Sequence, residues 1–309
     1  MAAIAYPAYA ALGAAEWNRR VQAAQELAAA CRVCPRRCGV ARLAGEVGRC
    51  GVGPRPVVAS HNLHRGEEPC LSGQRGSGTV FFTGCSLACV FCQNFPISQL
   101  RKGNEVGVER LAEMMLELER RGAHNINFVT PSHQVPAILE GLRLAAAAGL
   151  RLPIVWNSSA YESLETLALL DGIVDLYLPD LKYADGAAAE RLSGAADYVE
   201  VARSAIREMH RQVGGLELGA DGVAVRGLLV RHLVLPNGLA GTSSTLAFLA
   251  RELGPAVAVS IMGQYFPAHR AGETEGVERP LSAAEYEAAL AGLEAEGLDQ
   301  GYLQEIGEP

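Results

Sequence analysis

All eight cysteines of this chain fall between Cys31 and Cys92, and their types and spacing carry its most legible chemistry. Cys85, Cys89 and Cys92 form a C-x3-C-x2-C loop directly behind Val80-Phe81-Phe82-Thr83, the pattern of a buried strand emptying into a cysteine loop. Thiolates at that spacing can converge on one inorganic centre. On a four-iron, four-sulfur (4Fe-4S) cube, three of them leave one iron without a protein ligand, a position open for chemistry. A structural zinc knot competes with this reading, but a closed zinc site takes four ligands and the loop supplies three. A fourth would have to come from elsewhere.

A second group, Cys31, Cys34, Cys38 and Cys50, has the spacing C-x2-C-x3-C-x11-C. Four thiolates in this order suit a tetrahedral zinc ion or a closed second 4Fe-4S cluster equally well, and reduced, unmetallated thiols are the third option. Cys70 is left over and reads as a buried apolar thiol.

At 309 residues the chain can bury one large core. No apolar run is long enough to span a membrane. The Ala-rich start has no basic leader, so a cytoplasmic protein is expected, and confined cysteines argue for metal or redox use over disulfides. The net charge of −7 gives no general affinity for nucleic acid. It is uneven, however: between Cys31 and Arg75 eight arginines face Glu46, Glu67 and Glu68, a local +5.

The elements that must position these residues alternate. Residues 9–30 read as a helix. From Val80, six strand-then-helix units follow, with strands expected at 80–83, 126–130, 153–156, 174–178, 228–235 and 257–262, and helices between them. Leu216–Leu218 and Val223–Val225 pair across Asp221-Gly222 as a hairpin, and Ser282 caps a final helix, Ser282–Glu296. Such alternation predicts a parallel sheet with polar residues gathered at its carboxyl edge. The fold class is therefore α/β, with a cysteine-rich segment over 1–75, a barrel over 76–270 and a helical extension over 271–309.

The loop Gly78–Asn94, with Phe91 before its last cysteine, resembles the cluster loop of radical S-adenosylmethionine (SAM) enzymes. With the stretches Val129–His133 and Arg231–Pro236, the chain is most similar to pyruvate formate-lyase-activating enzyme and its uncharacterised relatives. The resemblance implies a partial (β/α)6 TIM-like barrel and a 4Fe-4S cluster on Cys85, Cys89 and Cys92. The cluster chelates SAM and cleaves it reductively to a 5'-deoxyadenosyl radical, which abstracts hydrogen from an unidentified substrate. It places Phe91 against the adenine, and Asp180 and Lys182 at the methionine carboxylate and an associated cation. The activating enzymes' Gly-Gly-Glu is Ser132-His133-Gln134 here, so Thr130, Ser132 and Gln134 are candidates for the amino group. Their Asp-Thr-Asn-Gly is Asn157-Ser158-Ser159-Ala160, which weakens any shared cation site. Gln264 completes the cofactor candidates, and His133 and Tyr265 are the catalytic ones.

Expected partners are a flavodoxin or ferredoxin as electron donor, docking on Arg36 and Arg37, and a glycyl-radical enzyme as one option for the substrate. Two alternatives remain open from sequence: a radical RNA-modifying enzyme, against which no aromatic-interleaved basic run is found, and a zinc-bound interaction protein on a degenerate barrel.

Overall fold

The computed structural model describes residues 6–307. Helix α1 (Ala14–Ala29) buries Trp17, Val21, Ala24 and Ala28 along one stripe and leads into the cysteine segment, whose one helical turn is Arg42–Ala44. Then come β1 (Val57–His64), α2 (Pro69–Ser72), β2 (Ser77–Phe82), α3 (Phe95–Ser98) and the two-residue β3 (Asn104–Glu105). Regular alternation follows: α4 (Val108–Arg120), β4 (Ile126–Val129), α5 (Val135–Ala147), β5 (Ile154–Ser158), α6 (Leu164–Leu170) and β6 (Leu176–Pro179). Two helices, α7 (Gly186–Ser193) and α8 (Tyr198–Val213), precede the hairpin of β7 (Glu217–Leu218) with β8 (Ala224–Leu233). The chain closes with α9 (Thr242–Leu253), β9 (Ala258–Met262), α10 (Ala283–Ala295) and β10 (Gly301–Gln304).

The strands lie in the order β10-β9-β8-β6-β5-β4-β2-β1-β3, with β7 beside β8. From β2 to β10 every neighbouring pair is parallel, and β1 runs antiparallel to β2. The result is a partial TIM-like α/β barrel of seven parallel strands with an antiparallel strand on one edge.

Register fixes what faces inward. Phe81 lies opposite Val129, Val129 opposite Asn157, and Asn157 opposite Leu178; Arg231 lies opposite Ser260, and Ser260 opposite Tyr302. Side chains alternate along a strand, so Asp180 shares the face of Leu178. Lower on this face Val155, Leu176, Leu229 and Ala258 pack with Cys70 and Leu71 into a dry plug. The opposite face carries Val80, Phe82, Phe128, Trp156 and Ile261 into the main core under the helices, each large side chain stabilising by roughly 1.5–3 kcal/mol. The inner face thus changes from apolar to polar toward the strands' carboxyl ends.

Three elements depart from the sequence reading. Strand β1 was not expected within 1–75, because Ser60, His61, Asn62 and His64 give it no apolar alternation and it is only half buried. Helix α7 is short and Ala-rich, started by Asp185 accepting from the Ala188 N–H. The segment 271–309 is not purely helical: after α10, whose Ser282–Glu285 capping box is complete, β10 joins the sheet. Gly301 permits that approach, since a Cβ there would fall 1.9 Å from the Val259 carbonyl oxygen.

Candidate active site

The carboxyl ends of the parallel strands open on a cavity of about 910 Å3. Cys85, Cys89 and Cys92 line it together. Their loop leaves β2 through Gly84, whose φ of +76° and close approach to the Cys50 carbonyl exclude a side chain. It then turns at Ala88, also at positive φ. Backbone bonds brace it from Val90 N–H to Leu192 O and from Arg270 N–H to Val90 O. Each sulfur has a hydrogen-bond partner: Leu87 N–H donates to Cys85 at 3.4 Å, Ser193 Oγ donates to Cys89 at 3.0 Å, and Ser98 Oγ lies 3.1 Å from Cys92 Sγ. Burial, reinforced by Cys89, pushes the Cys85 thiol up to about 11 and raises that of Cys92. Such repulsion among thiolates is what a bound cationic metal centre relieves. Donor number, donor type and hydrogen bonds to sulfur all fit a 4Fe-4S cluster with one iron left open.

Beside the thiols runs a chain of largely buried ions, their side chains 16–18% exposed. Lys182 Nζ is 2.8 Å from Asp180 Oδ2, Arg231 Nε is 2.6 Å from Asp180 Oδ1, and Arg231 Nη2 donates to Asn157 Oδ1 at 2.7 Å. The far guanidinium nitrogen reaches Glu67 at 3.3 Å. Burial alone would raise the Asp180 carboxyl, but Arg231 and Lys182 together hold it below its ordinary value. Burial likewise opposes the charge on Lys182, and Asp180 and Cys89 more than offset it. This is a desolvated network, not a surface ion pair.

Of the other cofactor candidates, Phe91, Thr130, Asn157, Ser158 and Gln264 also line the cavity. Phe91 is fixed edge-on between Tyr183 and Tyr265, at ring separations of 6.3 and 5.9 Å. Thr130 has φ +59°, a costly conformation for a β-branched residue, held where β4 ends by its N–H donating to Asn157 O at 2.9 Å.

Four candidates are corrected, because none lines the cavity. Ser132 turns away to donate to Glu162 Oε1 at 2.7 Å. Gln134 is buried at the start of α5. His133 lies behind the cysteine loop with Nε2 2.7 Å from Thr83 O, and burial lowers its pKa to about 4. Tyr265 donates to the Val277 carbonyl, and burial pushes its phenol up to about 12. Spacing placed the first three at a strand end, but the turn after Thr130 rotates them outward.

The sequence reading also missed residues. Arg231 was read as the start of a family-like stretch on a β-rich run but given no site role, and its neighbour His232 bonds the Leu181 carbonyl and Thr242 instead. His64, Glu67 and Glu68 enter from the β1–α2 segment, and Tyr302 and Gln304 from β10. No local signal marked them, since they meet only when the sheet's two ends come together.

Cys31, Cys34, Cys38 and Cys50 are neighbours outside this cavity. Burial pushes the Cys34 thiol up to about 12, and Cys50, Cys31 and Cys38 each add to the rise. Among the described residues, no three His, Cys, Asp or Glu side chains stand in a ready-made metal arrangement. The four-thiol donor set nevertheless fits zinc or a closed cluster. Cys70 is buried beside Tyr302, at the seam between α2 and β10.

The Radical SAM superfamily model matches residues 79–215, the stretch that carries β2, the cysteine loop and the ion chain as far as Lys182. An uncharacterized protein of Methanocaldococcus jannaschii is 32% identical over 291 residues, covering 92% of this chain and 80% of its own. The chain carries a radical SAM superfamily domain. Methylornithine synthase (PylB), in its crystal structure, aligns over 73% of this chain and 70% of its own at 14% identity and a TM-score of 0.45. As a radical SAM protein the chain is an iron–sulfur, SAM-dependent oxidoreductase. No helix among the described residues is long and apolar enough to cross a membrane.

Proposed function

We propose that the cavity binds SAM against a 4Fe-4S cluster on Cys85, Cys89 and Cys92 and directs hydrogen abstraction from a second molecule in the same space. One observation carries this reading: three hydrogen-bonded thiols and the Lys182–Asp180–Arg231 chain line one cavity. When bound, the cluster supplies the electron that cleaves the sulfonium and leaves a 5'-deoxyadenosyl radical.

The chain's own residues do the rest. Lys182 and Arg231 supply positive charge for the methionine carboxylate, and Asp180 fixes both. Arg231 bridges Asn157 and Asp180, so a side-chain cation stands between the two residues for which a weakened metal-cation site was expected. Thr130 accepts from the methionine ammonium, and Phe91 offers a rigid face to the adenine. A volume of 910 Å3 lies near the top of the roughly 300–1,000 Å3 range of small-molecule sites, enough for SAM and a further small ligand.

For the second cysteine group the supported role is an electron relay. Its cysteines do not line the cavity, which favours a relay by a closed cluster over direct ligation of substrate, and the Cys50 carbonyl packs against Gly84, the residue before Cys85. A flavodoxin- or ferredoxin-like donor would deliver electrons on that side. A glycyl-radical enzyme as substrate, and with it the activating-enzyme-like branch, rests on the resemblance alone.

The test is anaerobic reconstitution of the wild type and a Cys85→Ala/Cys89→Ala/Cys92→Ala variant, with iron, sulfide and 5'-deoxyadenosine measured under dithionite. The wild type is expected to form deoxyadenosine, and the variant to lose about four irons and all of that product. A fully loaded wild type that forms none overturns the reading.

A further inference from the structure

The cavity has a second end. Strand β1 is antiparallel to β2, and His64 pairs with Ser77 where β2 begins, whereas the cysteine loop follows where β2 ends. The segment after His64 therefore enters the barrel opposite the thiols. There it meets β10, the other end of the sheet order, with Cys70 beside Tyr302. Glu67 and Glu68 are delivered into the cavity wall at this seam.

Charges along the wall do not balance. Asp180 is matched by Lys182 and Arg231, and Glu67 shares the same Arg231 at 3.3 Å. Glu67 has a side chain only 7% exposed, and its second oxygen reaches no closer than 3.6 Å to His64. Glu68 Oε2 is buried with no hydrogen-bond partner. Asp180, Glu67 and Glu68 thus face Lys182 and Arg231, with His64 on the same wall; Arg231 acts on Glu68 as well, but no group hydrogen-bonds Glu68 Oε2. A buried carboxylate oxygen left without a hydrogen-bond partner is costly unless a ligand supplies one.

We propose that Glu67 and Glu68 form the substrate end of the site and that the substrate is a small aliphatic amine bound as its ammonium ion. The proposal rests on the reading of the cavity as a radical SAM site, whose radical would form at the thiol end. The ammonium is anchored on Glu68 and its apolar carbons extend along Leu233 and Met262 toward the thiols.

The experiment measures binding, so it does not depend on SAM cleavage. The anaerobically reconstituted enzyme with SAM is titrated with n-butylamine and 1,4-diaminobutane, and with n-butanol and butyrate as neutral and anionic controls, using saturation-transfer NMR. Amines are expected to bind at least tenfold more tightly than either control. Glu68→Gln should weaken them by about tenfold or more, Glu68→Asp should keep most of the affinity, and Glu68→Lys should move the preference to butyrate. Circular dichroism verifies that each variant is folded. Equal binding of alcohol and amine overturns the proposal, as does amine binding unchanged in Glu68→Gln. Response only to a glycine-containing peptide also overturns it. Deoxyadenosine formation without any amine binding defeats this proposal and leaves the radical SAM reading standing; amine binding without deoxyadenosine does the reverse.

Discussion

Arg231 and Asp180 face each other across adjacent parallel strands, joined by an isolated backbone bridge and by a 2.6 Å contact from Nε to Oδ1. The backbone and side-chain links reinforce each other, because the Leu181 N–H also donates to Arg231 O at 2.8 Å. One guanidinium thereby ties β6, β5 and the β1–α2 segment to a single point on the cavity wall.

Replacing Arg231 with Gln leaves Glu67 without its arginine and Asp180 with Lys182 alone, and breaking a buried pair costs about 3–5 kcal/mol. Chemical denaturation should show a loss of that order, and equilibrium dialysis should show weakened SAM binding. Arg231→Lys keeps the charge but cannot span Asp180, Asn157 and Glu67 at once, so it should fall between. Because a side chain already supplies the cation, exchanging sodium for potassium or adding EDTA to the loaded enzyme should leave its rate unchanged. A rate that follows added cation contradicts this account.

Arg36 and Arg37 read identically in the sequence as a basic pair for docking an acidic donor, but they differ in the structure. Arg36 donates to the carbonyls of Ser86, Ser193 and Gly194 and stacks over Tyr161 at 5.3 Å, bracing the cysteine loop against α7. Arg37 is exposed, with Glu165 at 3.4 Å. Arg36→Glu should destabilise the fold by on the order of 3 kcal/mol. Arg37→Glu, combined with Arg49→Glu, should cost about 0.5 kcal/mol or less. At low salt the latter variant should slow turnover driven by flavodoxin and spare turnover driven by dithionite. Equal effects on both donors would remove this face as the docking surface.

What the chain made legible was what local spacing encodes. C-x3-C-x2-C behind an aromatic strand, Asp180 and Lys182 at a strand end, and the strand–helix alternation all depend on neighbours within a few residues. Arg231 could not be singled out because its neighbours Val230 and His232 belong to the other face, and its partners are 51 and 164 residues away. Ser132 and Gln134 failed for the opposite reason: their types and position suited an ammonium, but past the left-handed Thr130, Ser132 bonds Glu162 and Gln134 is buried away from the cavity wall. Glu67 and Glu68 lie in a segment without periodicity, where only closure of the sheet by β10 gives them a role.

The second cysteine group should be separable from the first. Cys34→Ala removes a thiol that is buried among Cys31, Cys38 and Cys50 and is absent from the cavity wall. Metal analysis should show loss of one zinc, or of about four irons if the centre is a closed cluster. Deoxyadenosine formation under dithionite should persist, while flavodoxin-driven formation should fall at least tenfold if the group relays electrons. Loss of activity with both donors would place the group at the chemistry instead.

His232 supplies a pH dependence of stability. Its Nδ1 lies 2.7 Å from Leu181 O and its Nε2 3.0 Å from Thr242 Oγ1, and burial lowers its pKa from 6.5 to about 4. The unfolded chain therefore binds a proton at this residue below about pH 6.5 that the folded chain refuses until about pH 4. Stability from this group is present above pH 6.5 and is lost as the pH falls through that window, by about 3 kcal/mol in total. His232→Gln replaces the titrating ring with a neutral amide of similar reach. Urea titrations of both proteins at intervals from pH 7.5 to 4.5 should show the wild-type advantage shrinking with acidification. A constant difference would mean that the ring titrates alike in the folded and unfolded chains, as it would if water reached it.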